Sequence, residues 1–270
     1  LDGQIIGSMA LTDGWIGYMF ARDTWGHGFA SEAARAILDY GFTTLGLSEA
    51  KAGTYDGNKP SENVLRKLGF QPSGPSWSAC KAQNTELPGQ DWRLTRQDYL
   101  SHDPIFVKTN RLTLRNLTAK DAPRYHQIVT HPKVGPMLVI FPPDWSLDAA
   151  AAHINDARYD LALKFRLGIF HGENLIGAIG CSAGDTPAIY YYFHPDTHGQ
   201  GFASEIVPAF CDMLFARFPI KAIKAGVFTD NPASAKVLTK AGFQPTDIST
   251  WKSEARASEA EVQNDLRQRT

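Results

Sequence analysis

Two short stretches of this chain carry residue types and spacings that do chemistry. Asp196-Thr197-His198-Gly199-Gln200-Gly201-Phe202-Ala203-Ser204-Glu205 places two glycines one residue apart, between a strand-like and a helix-like segment. Glycine lets the backbone approach a ligand closely, and the free N–H groups at a helix start favour an anion. The same words stand at Asp23-Thr24-Trp25-Gly26-His27-Gly28-Phe29-Ala30-Ser31-Glu32, with eight of ten positions identical. A tight turn without a ligand is the competing reading of each. Downstream lie Asn231-x-x-Ser234 and its counterpart Asn58-x-x-Ser61. There a hydroxyl sits in the first turn of a helix, and the asparagine is either a ligand contact or a helix cap. Upstream of the second Gly-x-Gly runs Tyr190-Tyr191-Tyr192-Phe193-His194, three hydroxyls on one strand that serve packing as readily as chemistry.

The elements that position these residues repeat as well. The offset of 173 between Gly26 and Gly199 holds ungapped to Val64-Leu65-Arg66-Lys67-Leu68-Gly69-Phe70-Gln71-Pro72 and Val237-Leu238-Thr239-Lys240-Ala241-Gly242-Phe243-Gln244-Pro245, with seven of nine identical. A two-copy repeat of this length is a duplicated domain, not a solenoid. Residues 105–170 have no counterpart before Leu1. The reading is therefore a partial domain over 1–100 and a complete one over 105–270, with Ser101-His102-Asp103-Pro104 as linker. The start at Leu1 suggests further sequence upstream. Ile5-Ile6, Ile16, Met19-Phe20, Ile37-Leu38 and Tyr40 are apolar faces expected to be covered by it, by the other domain or by another subunit.

In the second copy, residues 111–115 alternate as a strand and Thr118 and Asp121 form a capping box. The Pro142-Pro143 pair breaks the chain and Ser146 caps a second helix. Strands are expected at 165–171, 174–181, 188–194 and 222–228, with turns at Gly172-Glu173 and Gly184-Asp185. A helix follows Gly201 to about Phe215, kinked or limited by Pro208. Another starts at Pro232 and is closed by Gly242. The tail from Ile248 is expected to form one or two edge strands.

Composition bounds the rest. The chain has 270 residues, 43% hydrophobic and 20% charged, as in a soluble globular protein. Lys plus Arg is 27 against 28 for Asp plus Glu, without the basic excess that nucleic-acid binding requires. The apolar run Met137-Leu138-Val139-Ile140-Phe141 is too short for a membrane span, and no signal peptide is visible. Cys80, Cys181 and Cys211 lack metal-ligand spacing and read as thiols in a reducing cytoplasm; no metal is expected.

Gly-x-Gly-Phe-Ala-Ser-Glu, then Asn-x-x-Ser, then a Leu-x-Lys-x-Gly-Phe helix end, resembles the GNAT superfamily of N-acetyltransferases. The opening Arg111-Leu112-Thr113-Leu114-Arg115 with Asp121-Ala122 is similar to its ribosomal-protein alanine N-acetyltransferase branch. The resemblance implies an α/β fold whose mixed sheet splits between its fourth and fifth strands, with acetyl-CoA in the split. By the same resemblance, Phe193, His198, Gly199, Gln200, Gly201, Phe202, Ala203 and Asn231 hold acetyl-CoA. In the first copy Gly26, His27, Gly28, Phe29, Ala30, Asn58 and Ser61 do so. Ser234 and Tyr191 are the implied catalytic residues, Ser234 acting on the departing thiolate. A bulge on the tyrosine strand is implied to aim an N–H at the acetyl carbonyl.

The sequence departs from the family at one point. A glutamate common on the fourth strand is replaced by Ala188, and by Trp15 in the first copy. Asp185, His194 and Tyr190 are the nearby candidates for a base. His126, His131 and His153 fall on the acceptor-side helices and read as solvated or satisfied histidines. The function implied is acetyl transfer to a primary amine, on a protein N-terminus or a small molecule, by direct attack on the thioester. The alternative is a non-catalytic acyl-CoA-binding or scaffold protein. A homodimer is compatible with either.

Overall fold

A computed structural model describes residues 3–80, 83–102, 105–138, 141, 144–253, 256 and 258–269. The chain divides into two compact units, 1–104 and 105–270.

The first unit begins with a hairpin of β1 (Gly7–Thr12) and β2 (Trp15–Phe20). Asp13 and Gly14 both adopt positive φ, +50° and +81°, which the Asp-Gly pair permits and a two-residue hairpin turn requires. Then come α1 (Phe29–Thr43), β3 (Glu49–Tyr55), α2 (Lys59–Lys67), β4 (Gln71–Cys80), β5 (Thr85–Thr95) and α3 (Arg96–His102). The sheet order is β1-β2-β3-β5-β4. Ile16 and Leu38 are buried. Ile5, Met19 and Tyr40 remain exposed, Met19 at 72%. Ser101 and His102, expected in a linker, end α3 instead, where the His102 ring meets the Lys67 carbonyl at 2.9 Å. Asp103 and Pro104 lie outside the described residues.

The second unit opens with β6 (Val107–Lys108), β7 (Leu112–Asn116), α4 (Ala122–Val129) and α5 (Leu147–Asp156). It continues through β8 (Phe165–His171), β9 (Asn174–Cys181), β10 (Ala188–Phe193), α6 (Phe202–Arg217), β11 (Ala222–Phe228), α7 (Pro232–Lys240), β12 (Gln244–Ser253) and β13 (Ser258–Gln268). Its eight strands lie in the order β12-β13-β11-β10-β9-β8-β7-β6. The last five in sequence, β9 to β13, are arranged as β1 to β5 are in the first unit. β8 and β9 are buried on both faces, so their apolar–polar alternation is lost, and β8 carries the charged Arg166 within its buried run.

Local chemistry accounts for most element ends. Thr118 and Asp121 form the capping box, followed by one 3-10 turn before α4. The Ser146 hydroxyl accepts from the Ala149 N–H at 3.1 Å and starts α5. Gly242, at φ +86°, closes α7. Pro142 and Pro143 lie outside the described residues. Pro208 does not divide α6, which runs from Phe202 to Arg217. The tail departs from expectation: β12 starts at Gln244, and β13 is not an edge but lies between β12 and β11, pairing with both. Tyr125, Ile128, Phe141, Ile154 and Tyr192 fill the layer between α4, α5 and the sheet. Cys181 and Cys211 are buried free thiols and Cys80 is half-buried.

Candidate active site

The site is built around a fork in the sheet. β10 and β11 run parallel and pair only at Ala188↔Lys224 and Ile189↔Ala225. Beyond Ile189 they separate, while β10 stays paired to β9 as far as Phe193. That pairing carries no register shift, so the expected bulge is not on this ladder. Alternation supplies the donors instead. Ala188 and His194 bond towards β9, through Ser182 N–H to Ala188 O and His194 N–H to Ile176 O. The amides of Tyr191 and Phe193 therefore face the fork.

Past β10 the chain makes a 3-10 turn over Pro195–Thr197 and enters α6. Gly199 and Gly201 stand at φ +74° and +78°, and Gly201 is the N-cap, without a capping side chain. The first-turn N–H groups of a sixteen-residue helix are thus left for a ligand. A Cβ at Gly199 would meet nothing within 4 Å, and at Gly201 only the Arg111 Nη2 at 3.7 Å. The cradle is open space that only the backbone conformation reserves for glycine. The His198 ring bonds the Phe193 carbonyl at 3.1 Å and the Gln200 amide donates to the Asp196 carbonyl at 2.9 Å. Both side chains brace the loop. Phe202 is buried and anchors the helix start.

The Ser234 and Tyr191 hydroxyls are hydrogen-bonded at 2.8 Å. Burial pushes the Tyr191 phenol up to about 12, against the opposing effect of that bond. The Asn231 side chain accepts from the Ser234 N–H at 3.1 Å and so caps α7, fixing the serine's position. In the first unit Asn58 caps α2 in the same way, at 3.3 Å from the Ser61 N–H. Gly26 and Gly28 have φ +81° and +86°, with Gly28 the uncapped N-cap of α1 and Phe29 and Ala30 in its first turn. His27 bonds the Thr24 carbonyl at 3.3 Å and stacks on Phe29. The units differ at one hydroxyl: Tyr18 donates to the Ser61 carbonyl at 3.4 Å, whereas Tyr191 reaches the Ser234 side chain. β2 and β3 pair only at Trp15↔Lys51.

The candidate bases are not brought onto the Tyr191–Ser234 pair. Asp185 is exposed in its turn. The Tyr190 hydroxyl points across the sheet to the Phe165 carbonyl at 3.5 Å. His194 accepts from the Asp196 N–H, and burial with Arg124 beside it holds its pKa below the usual value. His126 and His131 are tied to backbone groups of Trp145 and Lys133. His153 differs: its Nε2 is buried without a partner among the described residues, and burial plus Arg166 lower its pKa to about 4.

A clamp on the helix start has no counterpart among the described residues of the first unit. Glu205 accepts from the Thr109 hydroxyl at 2.6 Å, the Arg111 N–H at 2.9 Å and the Arg111 Nε at 2.7 Å. Arg111 also donates to the Gln200 carbonyl at 3.0 Å and lies 4.6 Å over the Phe202 ring. The matching Glu32 is exposed.

A strand fork thus lies beside an uncapped, glycine-led helix start, an arrangement able to accept an anion. A family model for the acetyltransferase (GNAT) domain matches residues 2–71 and 111–244, and the chain belongs to that family. An uncharacterized N-acetyltransferase, p20, of Bacillus licheniformis is 38% identical over 84 residues, 31% of this chain and 47% of the relative. The chain thus spans about half the length of this curated relative. RimJ of Mycobacterium smegmatis, solved with a CoA-disulfide, superposes with a TM-score of 0.55 at 17% identity, over 61% of this chain and 88% of that one. Spermidine N-acetyltransferase of Vibrio cholerae, solved with CoA and spermine, gives 0.52 at 20% identity, over 58% and 95%. Among the described residues no helix is long and apolar enough to cross a membrane.

Proposed function

We propose that the second unit transfers an acetyl group from acetyl-CoA to a primary amine. The observation that supports this most is the joint placement of three features: the Gly199–Gly201 cradle, the forward amides of Tyr191 and Phe193, and the Tyr191–Ser234 hydroxyl pair. Acetyl-CoA would be held by the amides from Gly199 to Ala203 and supplies an acetyl group already activated as a thioester. The Tyr191 and Phe193 amides stand where they would hold the oxyanion formed when the amine adds. Ser234, backed by Tyr191, would give a proton to the departing thiolate. With alanine at position 188, the amine arrives already deprotonated rather than losing its proton to a carboxylate there. Structural likeness to spermidine N-acetyltransferase and to RimL, a ribosomal L7/L12 alpha-N-protein acetyltransferase, supports acceptors from polyamines to protein N-termini.

The first unit is proposed to be a second copy of the portion from β9 to β13, with its own cofactor cradle at Gly26–Gly28. A non-catalytic acyl-CoA-binding protein is the second reading, supported by Ala188. CoA release measured against peptides with varied N-termini and common small amines separates the two. Acetyl-CoA binding by calorimetry with no CoA release from any amine supports the second reading and defeats the first.

A further inference from the structure

Arg166 is an anomaly on the face of the sheet that α4 and α5 cover. It is 5% exposed, and its Nε and Nη1 are buried with no hydrogen-bond partner among the described residues. Burial works against its charge, and the hydroxyls of Tyr192, Tyr125 and Tyr190 favour it, Tyr190 also through a side-chain hydrogen bond. Its guanidinium lies 5.8 Å from the Tyr125 ring centre, 5.9 Å from Phe141 and 5.2 Å from Tyr190. Aromatic faces attract a cation but leave its N–H groups unbonded. Arginine does not escape by losing its proton, so a buried guanidinium whose Nε and Nη1 go unbonded is a standing cost to the fold.

Register places this cation relative to the fork. Arg166 pairs with Gly180 and Gly180 pairs with Tyr190, forming one row across β8, β9 and β10. Gly180 leaves the room that the Tyr190 ring takes as it crosses from β10 towards β8: a Cβ there would come within 2.5 Å of the Tyr190 hydroxyl. Tyr190 is one residue past the last β10–β11 pair. Two strand spacings separate Arg166 from the fork, about 10 Å. His153, held neutral beside it, adds no competing positive charge.

We infer that Arg166 is a specificity-determining residue that binds a carboxylate carried by the acceptor, whose amine lies at the fork. This rests on the acetyl-transfer reading. The planar, two-pronged donor set with free Nε and Nη1 suits a carboxylate, and the separation suits an acceptor with several bonds between amine and acid.

The test uses the whole chain and amines paired by loss of the acid: 6-aminohexanoate with pentylamine, and phenylalanine with phenethylamine. In the wild type the acid-bearing member of a pair has kcat/KM roughly tenfold higher. Arg166→Met makes the pair equal, and Arg166→Lys, which keeps the charge but not the fork, falls between. Glutarate, which has no amine, raises the melting temperature of the wild type and not of Arg166→Met. Without ligand, Arg166→Met melts no lower than the wild type, because the buried charge and its unbonded N–H groups are gone. Acetyl-CoA calorimetry and circular dichroism report whether each variant folds; if Arg166→Met does not, Arg166→Lys decides on the same readouts. A wild type with neither pair preference nor glutarate stabilisation overturns the inference, as does persistence of both in the variants. Failure of the acetyl-transfer reading is distinct: no amine releases CoA, and the glutarate arm then decides alone.

Discussion

Ser234 takes part in two interactions that substitution separates. Its backbone N–H belongs to the Asn231 cap and its hydroxyl to Tyr191. Ser234→Ala keeps the first and loses the second. If the hydroxyl acts on thiolate charge, kcat falls about tenfold or more while acetyl-CoA affinity changes little. An unchanged kcat with a raised KM points to a binding role only. The pH profile tests the missing carboxylate at position 188. With no base there, kcat/KM rises with unit slope up to the acceptor's own pKa, about 8 for a peptide N-terminus and about 10.4 for a lysine-like amine. Tyr191, at about 12, keeps its proton throughout and adds no falling limb below that pH. Profiles for two such acceptors should be displaced by the difference in their pKa values. A single inflection common to both would show that the protein supplies a base.

At the scale of the element, the start of α6 is held by Glu205. Glu205→Ala removes three acceptor bonds and leaves Arg111 without its carboxylate partner. The expected cost is about 2 kcal/mol, read as a lower urea midpoint with an unchanged slope. Burial raises the Glu205 pKa, but Thr109 and Arg111 outweigh it, so the folded value lies below the ordinary 4.5. This contribution is therefore complete above pH 4.5 and is lost as pH falls through the lower folded value. The sequence shows the glutamate in both copies but not which copy has the arginine to hold it. Pattern did reveal the glycines, the Thr118 and Ser146 caps and strands β8 to β11, because local chemistry or a repeat specifies each. It did not reveal the interior position of β13, since the polar run after Ile248 reads as an edge until its pairing with β11 is known. Arg166 was silent for a related reason. On a strand buried on both faces there is no alternation to mark an inward charge as unusual.

At the scale of the whole molecule, two cradles imply two binding events. Calorimetry is expected to count two acetyl-CoA sites per chain. Gly28→Val and Gly201→Val should each remove one, because valine is strained at φ +86° and +78°. A single site that survives Gly28→Val would mean the first unit does not take the ligand. The three cysteines give a separate view of the chain. Only the thiolate reacts, and burial pushes Cys211 up to about 12 and raises Cys181 as well, whereas half-buried Cys80 lies in the first unit. A thiol reagent should mark Cys80 promptly. The other two wait for the second unit to open, so their labelling times, read by mass spectrometry, act as a clock for its breathing. Acetyl-CoA should slow that clock in proportion to how tightly it is bound, and so report occupancy of the second cradle without any acceptor being known.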